Sequence, residues 1–138
     1  MNALFGLTND KPTAGQEAAT YAGHAWFDPT YRQFLKQTDV PNPAMTWVTL
    51  DEHPDTINDG FFINGVSPSS WSDCPASFHN GACGFSFADG HAEVHKWRSS
   101  TSIYPVKYTG GVNAKNFDAA GRLDYQWYKD RTGFTLFR

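Results

Sequence analysis

The chain has 138 residues, of which 40% are hydrophobic and 16% aromatic, and its formal net charge is −3. This length suits one domain over residues 1–138, and the aromatic content argues against an intrinsically disordered chain. The 11 basic residues are not clustered and no stretch reaches the ~18 apolar residues of a membrane span, which argues against a nucleic-acid partner and against membrane contact by this segment.

The N-terminal third predicts a loop followed by one helix. Residues 1–25 are polar and small and are interrupted by glycine, which indicates a loop with at most one short element; no signal peptide is visible in them. The segment DPTYRQFLKQ begins with an Asp-Pro pair that suits the N-cap and the first helical position. Its apolar stripe consists of Tyr31, Phe34 and Leu35, so the spacing predicts a helix over residues 28–37.

Short apolar segments bounded by turn residues predict an antiparallel sheet. They are MTWVTL at residues 45–50, FFING at 61–65, GFSFADGHAEVHKW at 84–97 and a run at 103–108. Near the C-terminus, residues 122–131 are amphipathic, with Leu123 and Trp127 on one side, and predict a closing helix. The expected fold class is α+β, with a small antiparallel sheet, a helix near the N-terminal third and a C-terminal helix.

The pair Asp89-Gly90 stands between two alternating runs, which is the strongest short-range signal for a β-hairpin. A two-residue type I′ turn at this pair directs one set of side chains to the core, namely Phe85, Phe87, Ala92 and Val94. The opposite, solvated face then carries Ser86, His91, Glu93 and His95. On such a strand, the two histidines lie about 13 Å apart, so a polar hairpin face is favoured over a metal site there.

Acidic residues are dense after the first predicted strand. The segment 51–59 offers the hard oxygen ligands that calcium prefers. The candidate metal ligands are Asp51, Asp55, Asn58 and Asp59. Their spacing does not fit the EF-hand pattern, and Asn58-Asp59-Gly60 is also typical of a turn. The turn interpretation is favoured, and calcium is the one candidate cofactor.

The same loop supports a catalytic alternative. Glycosidases use two carboxyl groups across a cleft, so a small secreted hydrolase acting on glycosidic bonds is an alternative function. Its candidate catalytic residues are Asp51, Glu52, Asp55, His79 and Glu93. No GxSxG, HExxH, P-loop or GxGxxG motif is present, and a Cys83–His79 nucleophilic pair lacks a supporting motif. Cys74 and Cys83 are compatible with a disulfide or with two free thiols.

Several segments carry a resemblance to a known family. His79, nine intervening residues and Asp89-Gly90 form an H-x9-DG pattern. Three further stretches, WVTLDEHPDTINDGFF, FADGHAEVHKW and LDYQWYKDRT, look like a strand–acidic loop–strand segment, a hairpin and a C-terminal tryptophan helix. From about Pro43 onward, the chain resembles the prepilin-type, processing-associated H-x9-DG family of bacterial pseudopilin-like proteins.

The resemblance implies a non-enzymatic function. Members are exported, and a long N-terminal helix carries their globular α+β head into a pilus-like or type II secretion-linked fibre at the cell surface. The prepilin motif and its apolar helix are not visible here, so we expect a head domain alone, extracellular if it belongs to an exported precursor. Its expected partners are other pilin-like subunits or copies of itself. Related type II secretion pseudopilins hold calcium in a loop of the head, although no loop motif transfers residue by residue.

Overall fold

A computed structural model describes residues 1–6 and 13–137 of the chain. Within these ranges, the two α-helices are α1, Ala14–Tyr21, and α2, Ala119–Asp130, and the three strands are β1, Trp47–Leu50, β2, Ala82–Phe87, and β3, Ala92–Lys96. The strands form one antiparallel sheet in the order β1-β2-β3. This is the predicted α+β arrangement, with one helix in the N-terminal third and one at the C-terminal end. Neither helix of the described ranges is long and apolar enough to cross a membrane.

An aromatic core lies between α2 and one face of the sheet. Trp47 on β1 lies 5.7 Å from Tyr128 of the helix and 6.2 Å from Phe85 on β2, measured between ring centroids. Trp71, from the loop before β2, lies 5.4 Å from Tyr128 and 5.7 Å from Trp97. All five rings are buried, and edge-to-face pairs of this kind add about 0.5–1.5 kcal/mol each beyond their burial. Aromatic packing therefore holds α2 against the sheet.

Helix α2 confirms the predicted C-terminal helix but turns a different side to the core. Asp118 caps the helix by accepting a hydrogen bond from the Gly121 backbone N–H at 2.6 Å. The buried residues of the helix are Gly121, Asp124, Tyr125 and Tyr128. Leu123, which the pattern placed on the packed side, is 58% exposed. The two tyrosines set the orientation, because an aromatic ring buries more area than a leucine side chain.

The N-terminal helix is α1 and not the helix predicted over residues 28–37. Its N-cap is Thr13, whose hydroxyl accepts from Gln16 N at 3.2 Å, while the Gln16 side chain accepts from Thr13 N at 2.9 Å. This reciprocal capping box satisfies two backbone donors at the start of the helix. The loop predicted over residues 1–25 thus contains its one short element, and positions 7–12 of that loop lie outside the described residues.

Residues 28–37 do not form an α-helix, because after a turn at 28–31 they pair with distant parts of the chain. Phe34 N donates to Leu4 O at 2.7 Å, and Gly6 N donates to Phe34 O at 3.2 Å. The buried Gln33 amide donates to Ala3 O and Gly6 O at 3.0 Å each. These bonds close a second, smaller core that contains Leu4, Ala25, Phe34 and Val40. The apolar stripe was a local signal, and tertiary pairing overrode it.

Two of the predicted strands are not strands in the described sheet. Of residues 61–65, only Phe62 takes part in a bridge, and residues 103–108 form no strand. In the first segment, carboxylates accept the backbone N–H groups that a ladder would need, at 2.7 Å for Asp59 and 2.6 Å for Asp73. Side-chain hydrogen bonds of this kind compete directly with strand pairing.

The hairpin forms where it was predicted, but with a different turn. Gly90 N donates to Phe87 O at 3.0 Å and Phe87 N donates to His91 O at 2.9 Å, so the loop consists of the three residues 88–90. Gly90 has φ +95°, the left-handed conformation that a three-residue hairpin loop requires at this position. Asp89 does not have the positive φ that a type I′ turn demands, so the predicted two-residue turn is wrong.

The extra loop residue exchanges the two faces of β3. Phe85 pairs with Glu93 and Cys83 pairs with His95, so these polar residues share the face of the sheet that α2 covers. Val94 lies on the other face and is 71% exposed. The predicted assignment of Ala92 and Val94 to the core is therefore wrong, because loop length rather than alternation sets the register.

The two cysteines are free thiols, and both side chains are fully buried. Burial raises the pKa of Cys74 and of Cys83 to about 12. Since the thiolate is the reactive form, both groups are protonated and unreactive at neutral pH. Of the two alternatives left open by the sequence, the structure has the free thiols.

Candidate functional site

The face of the sheet opposite α2 is open and slightly hollow. A cavity of about 420 Å³ lies over it. Its lining includes Thr49, Asp51, Gly84, Ser86, Ala92 and Val94. Polar groups therefore come from β1 and β2, and small apolar groups come from β3. We take this hollow, together with the two ends of β2, as the candidate functional site.

Asp51, directly after β1, links the end of β1 to His79 in the loop before β2. Its Oδ2 lies 3.4 Å from His79 Nε2 and accepts from Gly84 N at 3.3 Å, while Asp51 N donates to Gly84 O at 3.2 Å. A Cβ at Gly84 would lie 2.9 Å from Asp51 Oδ2, so the missing side chain makes room for the carboxylate. The Asp51 and His79 side chains are half-exposed, at 50% and 55%. They form an ion pair whenever the imidazole is protonated.

Two hydroxyl groups lie beside this pair and bond to each other. Thr49 Oγ1 and Ser86 Oγ are 2.5 Å apart, and Ser86 Oγ also accepts from Thr49 N at 3.2 Å. They bridge the point where the β1–β2 register shifts. A hydroxyl nucleophile needs a base within hydrogen-bond reach, and the partner of Ser86 is another hydroxyl. The arrangement joins two strands and does not activate an oxygen for attack.

The other end of β2 is held by a second Asp–His pair. Asp89 Oδ1 accepts from His91 N at 3.1 Å and lies 2.6 Å from His91 Nδ1. The hydrogen bond with the His91 side chain is the main reason that the pKa of Asp89 lies below its usual range. The His91 ring also stacks on Phe87 with centroids 4.3 Å apart. These contacts fix the three-residue turn.

The inward face of β3 packs on α2 through an imidazole. The His95 ring stacks on Trp127 at 3.6 Å and meets Trp97 edge-on at 4.9 Å. Burial lowers the pKa of His95 to about 4, so the ring is neutral at neutral pH. Arg131 lies over the Trp127 ring at 4.2 Å and 3.7 Å from a Glu93 carboxylate oxygen. Polar and aromatic groups here join strand to helix.

Asp55 is a buried anchor for a distant loop. Its two oxygens accept from Lys107 N at 2.8 Å and Thr109 N at 2.7 Å, and these bonds, with that from Lys107 first, hold its pKa below the usual range. The buried His53 accepts from Asp55 N at Nδ1, at 3.2 Å, so Nε2 carries the proton and donates to Tyr104 O at 3.2 Å. Both carboxylate oxygens are thus committed to the backbone.

The remaining candidate calcium ligands are used as turn residues or are free at the surface. Asp59 caps Phe61 N, and Asn58 and Asp59 are exposed. Within residues 1–6 and 13–137, no group of three or more His, Cys, Asp or Glu side chains is arranged to hold a metal ion. Calcium in this loop stays a prediction that a binding measurement must decide.

Glu52 has the most altered carboxyl group of the loop. Burial, with the charge of Asp73 nearby as the second cause, raises the pKa of Glu52 to about 7. Burial also raises the pKa of Asp73 above its usual range. Among the described residues, no hydrogen-bond partner reaches the buried Oε1 of Glu52. Glu52 can therefore hold a proton near neutral pH, although Glu52 does not line the hollow with Asp51.

The structure brings together only part of the set predicted for catalysis. Asp51 and His79 are in contact, whereas Asp55 binds the 107–109 backbone and the Glu93 carboxylate contacts Arg131. The sequence analysis missed the environment of His95. The one usable signal was an imidazole two residues before Trp97, within a strand that precedes a tryptophan-bearing helix.

Comparison with protein-family models, with curated proteins and with solved structures found no match to this chain. The function must therefore be inferred from the residues and their geometry.

Proposed function

We propose that this chain is a non-enzymatic, pseudopilin-like head domain that assembles with pilin-like subunits or with copies of itself in a type IV pilus-like or type II secretion-like system. One observation carries the proposal: the residues of the H-x9-DG pattern all serve the central strand. His79 precedes β2 and contacts Asp51, while Asp89 and Gly90 form the turn that follows β2. A pattern used in this way builds a scaffold.

The surroundings of the acidic residues support the same proposal. A glycosidase needs two carboxyl groups that face each other across a cleft. Asp55 is occupied by two backbone donors, and the Glu93 carboxylate contacts Arg131 on the side covered by α2. Among the described residues, Asp51 is the one acidic side chain at the hollow with a histidine partner. A single carboxylate beside an exposed imidazole fits a strand connection better than a hydrolytic pair.

A small hydrolase acting on glycosidic bonds remains the second candidate, and the Asp51–His79 contact of 3.4 Å at the open face favours it. Purified protein would be incubated with a panel of aryl glycosides. We expect no hydrolysis. Turnover that Asp51→Asn abolishes and that the surface control Glu17→Gln retains would favour the hydrolase instead.

The test of the leading proposal uses the gene product in its source cells. An antibody raised against the folded domain would probe fibres sheared from the cell surface, alongside the cell interior. We expect the chain in the sheared fraction, and we expect its loss from that fraction when fibre assembly is blocked. Detection inside the cell alone, in cells whose surface fibres are intact, would refute the proposal.

A further inference from the structure

Strand β3 lies at the edge of the sheet with its outer side unpaired. Phe87 N donates to His91 O at 2.9 Å, and bonded pairs alternate along an antiparallel ladder, so Glu93 and His95 also direct their backbone groups to β2. The backbone groups of Ala92, Val94 and Lys96 therefore point outward. No hydrogen bond joins them to another residue in the described ranges, and no other described strand or helix lies along this edge.

The side chains on this edge do little to prevent pairing. Proteins usually protect an open edge with proline, a bulge or charges at the centre of the strand. The centre of β3 is Val94, a β-branched residue that is 71% exposed, and β3 contains no proline. Lys96 is charged but stands at the last position. An exposed valine flanked by unpaired backbone groups is typical of a strand that accepts a partner strand.

We infer that β3 pairs edge to edge with β3 of a second copy of this chain, with Val94 on the two-fold axis between them. The two Val94 residues then exchange both backbone hydrogen bonds, and each Ala92 faces Lys96 of the other copy. Two three-stranded sheets join into one continuous sheet. The open faces, with their hollows, lie on the same side of that sheet.

Charge selects this register over its neighbour. With Val94 on the axis, each Glu93 lies opposite His95 of the other copy, in a non-hydrogen-bonded pair where side chains approach closely. With Glu93 on the axis, two carboxylates would lie directly opposite each other, which is unfavourable. The register with Val94 on the axis also buries this exposed valine against Val94 of the other copy. His95 is neutral at neutral pH, so this register brings no like charges together, and the avoidance of like charges and the apolar contact point to the same pairing.

The inference deepens the proposed function and rests on it, because it names a second copy of this chain as one partner in the assembly. The two can be separated by experiment. A dimer in solution tests the edge, and the presence of the chain in surface fibres tests the function. A monomeric protein found in fibres would overturn the edge pairing alone, and a dimer absent from fibres would overturn the function alone.

The experiment uses charge substitutions at the axis. Sedimentation equilibrium would measure self-association of the wild-type protein, of Val94→Lys and of Val94→Glu, with circular dichroism to confirm folding. We expect a wild-type dimer, and we expect each variant alone to associate at least about fivefold more weakly, because like charges meet at the axis. Mixing the two variants should restore a heterodimer, since lysine then faces glutamate.

The matched control is Ile57→Lys, which places a charge on another exposed apolar residue, 59% exposed, away from β3. This variant should dimerise like the wild type. A wild-type protein that stays monomeric, a dimer that Val94→Lys leaves unchanged, or a mixture that fails to recover would each overturn the inference. Recovery in the mixture requires that residue 94 of one copy lies opposite residue 94 of the other, which a structural effect on the fold does not produce.

Discussion

Asp51 and Asp55 lie close in the sequence and have opposite surroundings. The Asp51 side chain is half-exposed between His79 and Gly84 N, whereas the Asp55 side chain is buried and bound by two backbone N–H groups. At this scale the sequence gives residue types and spacing, but the partners come from segments far along the chain. Neither the Asp51–His79 contact nor the Asp55 anchor was predictable from local pattern.

Two glycines in helices should respond in opposite ways to substitution by alanine. Gly121 is buried in α2, and an added Cβ would collide with Thr101 Oγ1, which a 2.8 Å hydrogen bond to Ser99 holds in place. We expect Gly121→Ala to destabilise the protein by about 1–3 kcal/mol despite the better helix propensity of alanine. Gly15 in α1 has open space around it, so Gly15→Ala should stabilise by up to about 1 kcal/mol. Urea denaturation measures both, and equal effects would contradict the packing described for α2.

The half-buried carboxyl group of Glu52 predicts a loss of stability at higher pH. Its pKa in the folded protein is about 7, above the usual 4.5, so its contribution is fully present below pH 4.5 and is lost as pH rises through 7. The glutamine of Glu52→Gln cannot ionise, so the free energy of unfolding of this variant should exceed that of the wild type by about 1–2 kcal/mol at about pH 8. Solvent screening of this half-exposed group keeps the difference below the full effect of the pKa shift. The difference should vanish near pH 4. Denaturation at both values, with Glu17→Gln as the control for one lost charge, decides the point.

His95 predicts the opposite dependence. Its pKa in the folded protein is about 4, below the usual 6.5, so its contribution is present above pH 6.5 and is lost as pH falls through 4. The charged groups that face it are Asp124 on α2, Arg131 directly after α2 and Arg98 after β3. His95→Phe keeps an aromatic ring on Trp127 and should lose less stability than the wild type between pH 7 and about pH 4. An identical acid profile for both proteins would show that the imidazole is not buried in this stack.

At the scale of elements, the sequence predicted those helices and strands whose formation depends on neighbouring residues. β1, the hairpin and α2 were found because each has a continuous apolar or alternating pattern and a clear turn or cap at its end. The helix expected at 28–37 failed because its residues pair with the segment at 2–6. The hairpin register failed because Asp89-Gly90 is compatible with two-residue and three-residue loops, and only the folded backbone distinguishes them.

The observed register can be tested against the predicted one by two substitutions on β3. Val94→Ser should change the free energy of unfolding by less than about 0.5 kcal/mol in dilute solution, because the side chain is 71% exposed. His95→Ala removes the stack on Trp127 and should cost about 1–2 kcal/mol. Phe87→Ala, which removes a buried ring in either register, should cost about 3–5 kcal/mol and serves as the reference. A larger loss from Val94→Ser than from His95→Ala would restore the two-residue turn.

At the scale of the whole molecule, Asp55 connects segments that share no regular secondary structure. It ties the loop after β1 to the 107–109 backbone, while Asp73 and Asn64 tie the 61–65 segment to the loop before β2. Side-chain to backbone bonds replace the two strands that the sequence had predicted. The resulting molecule has one helix-covered sheet and a large share of irregular chain held by carboxylates.

This use of carboxylates predicts how the molecule responds to calcium. Asp55 has both oxygens occupied and Asp59 caps Phe61 N, so we expect the same melting temperature in excess chelator and in millimolar calcium. Differential scanning calorimetry measures the midpoint in both conditions. A rise with calcium that Asp55→Asn and Asp59→Asn abolish would contradict this expectation and would establish the predicted metal site at Asp51, Asp55, Asn58 and Asp59.

The three-residue loop at 88–90 has a consequence for how this sequence can evolve. Deletion of the His91 codon would keep the loop at 88–90 but place Ala92 opposite Phe87, and this register turns Ala92 and Val94 inward and His95 outward. The strands themselves would be unaltered, yet every side chain of β3 would change environment. The number of residues between Phe87 and Ala92 therefore determines which side chains of β3 face the core. An insertion or deletion there changes the environment of all these side chains at once, whereas a single amino-acid replacement within β3 changes one.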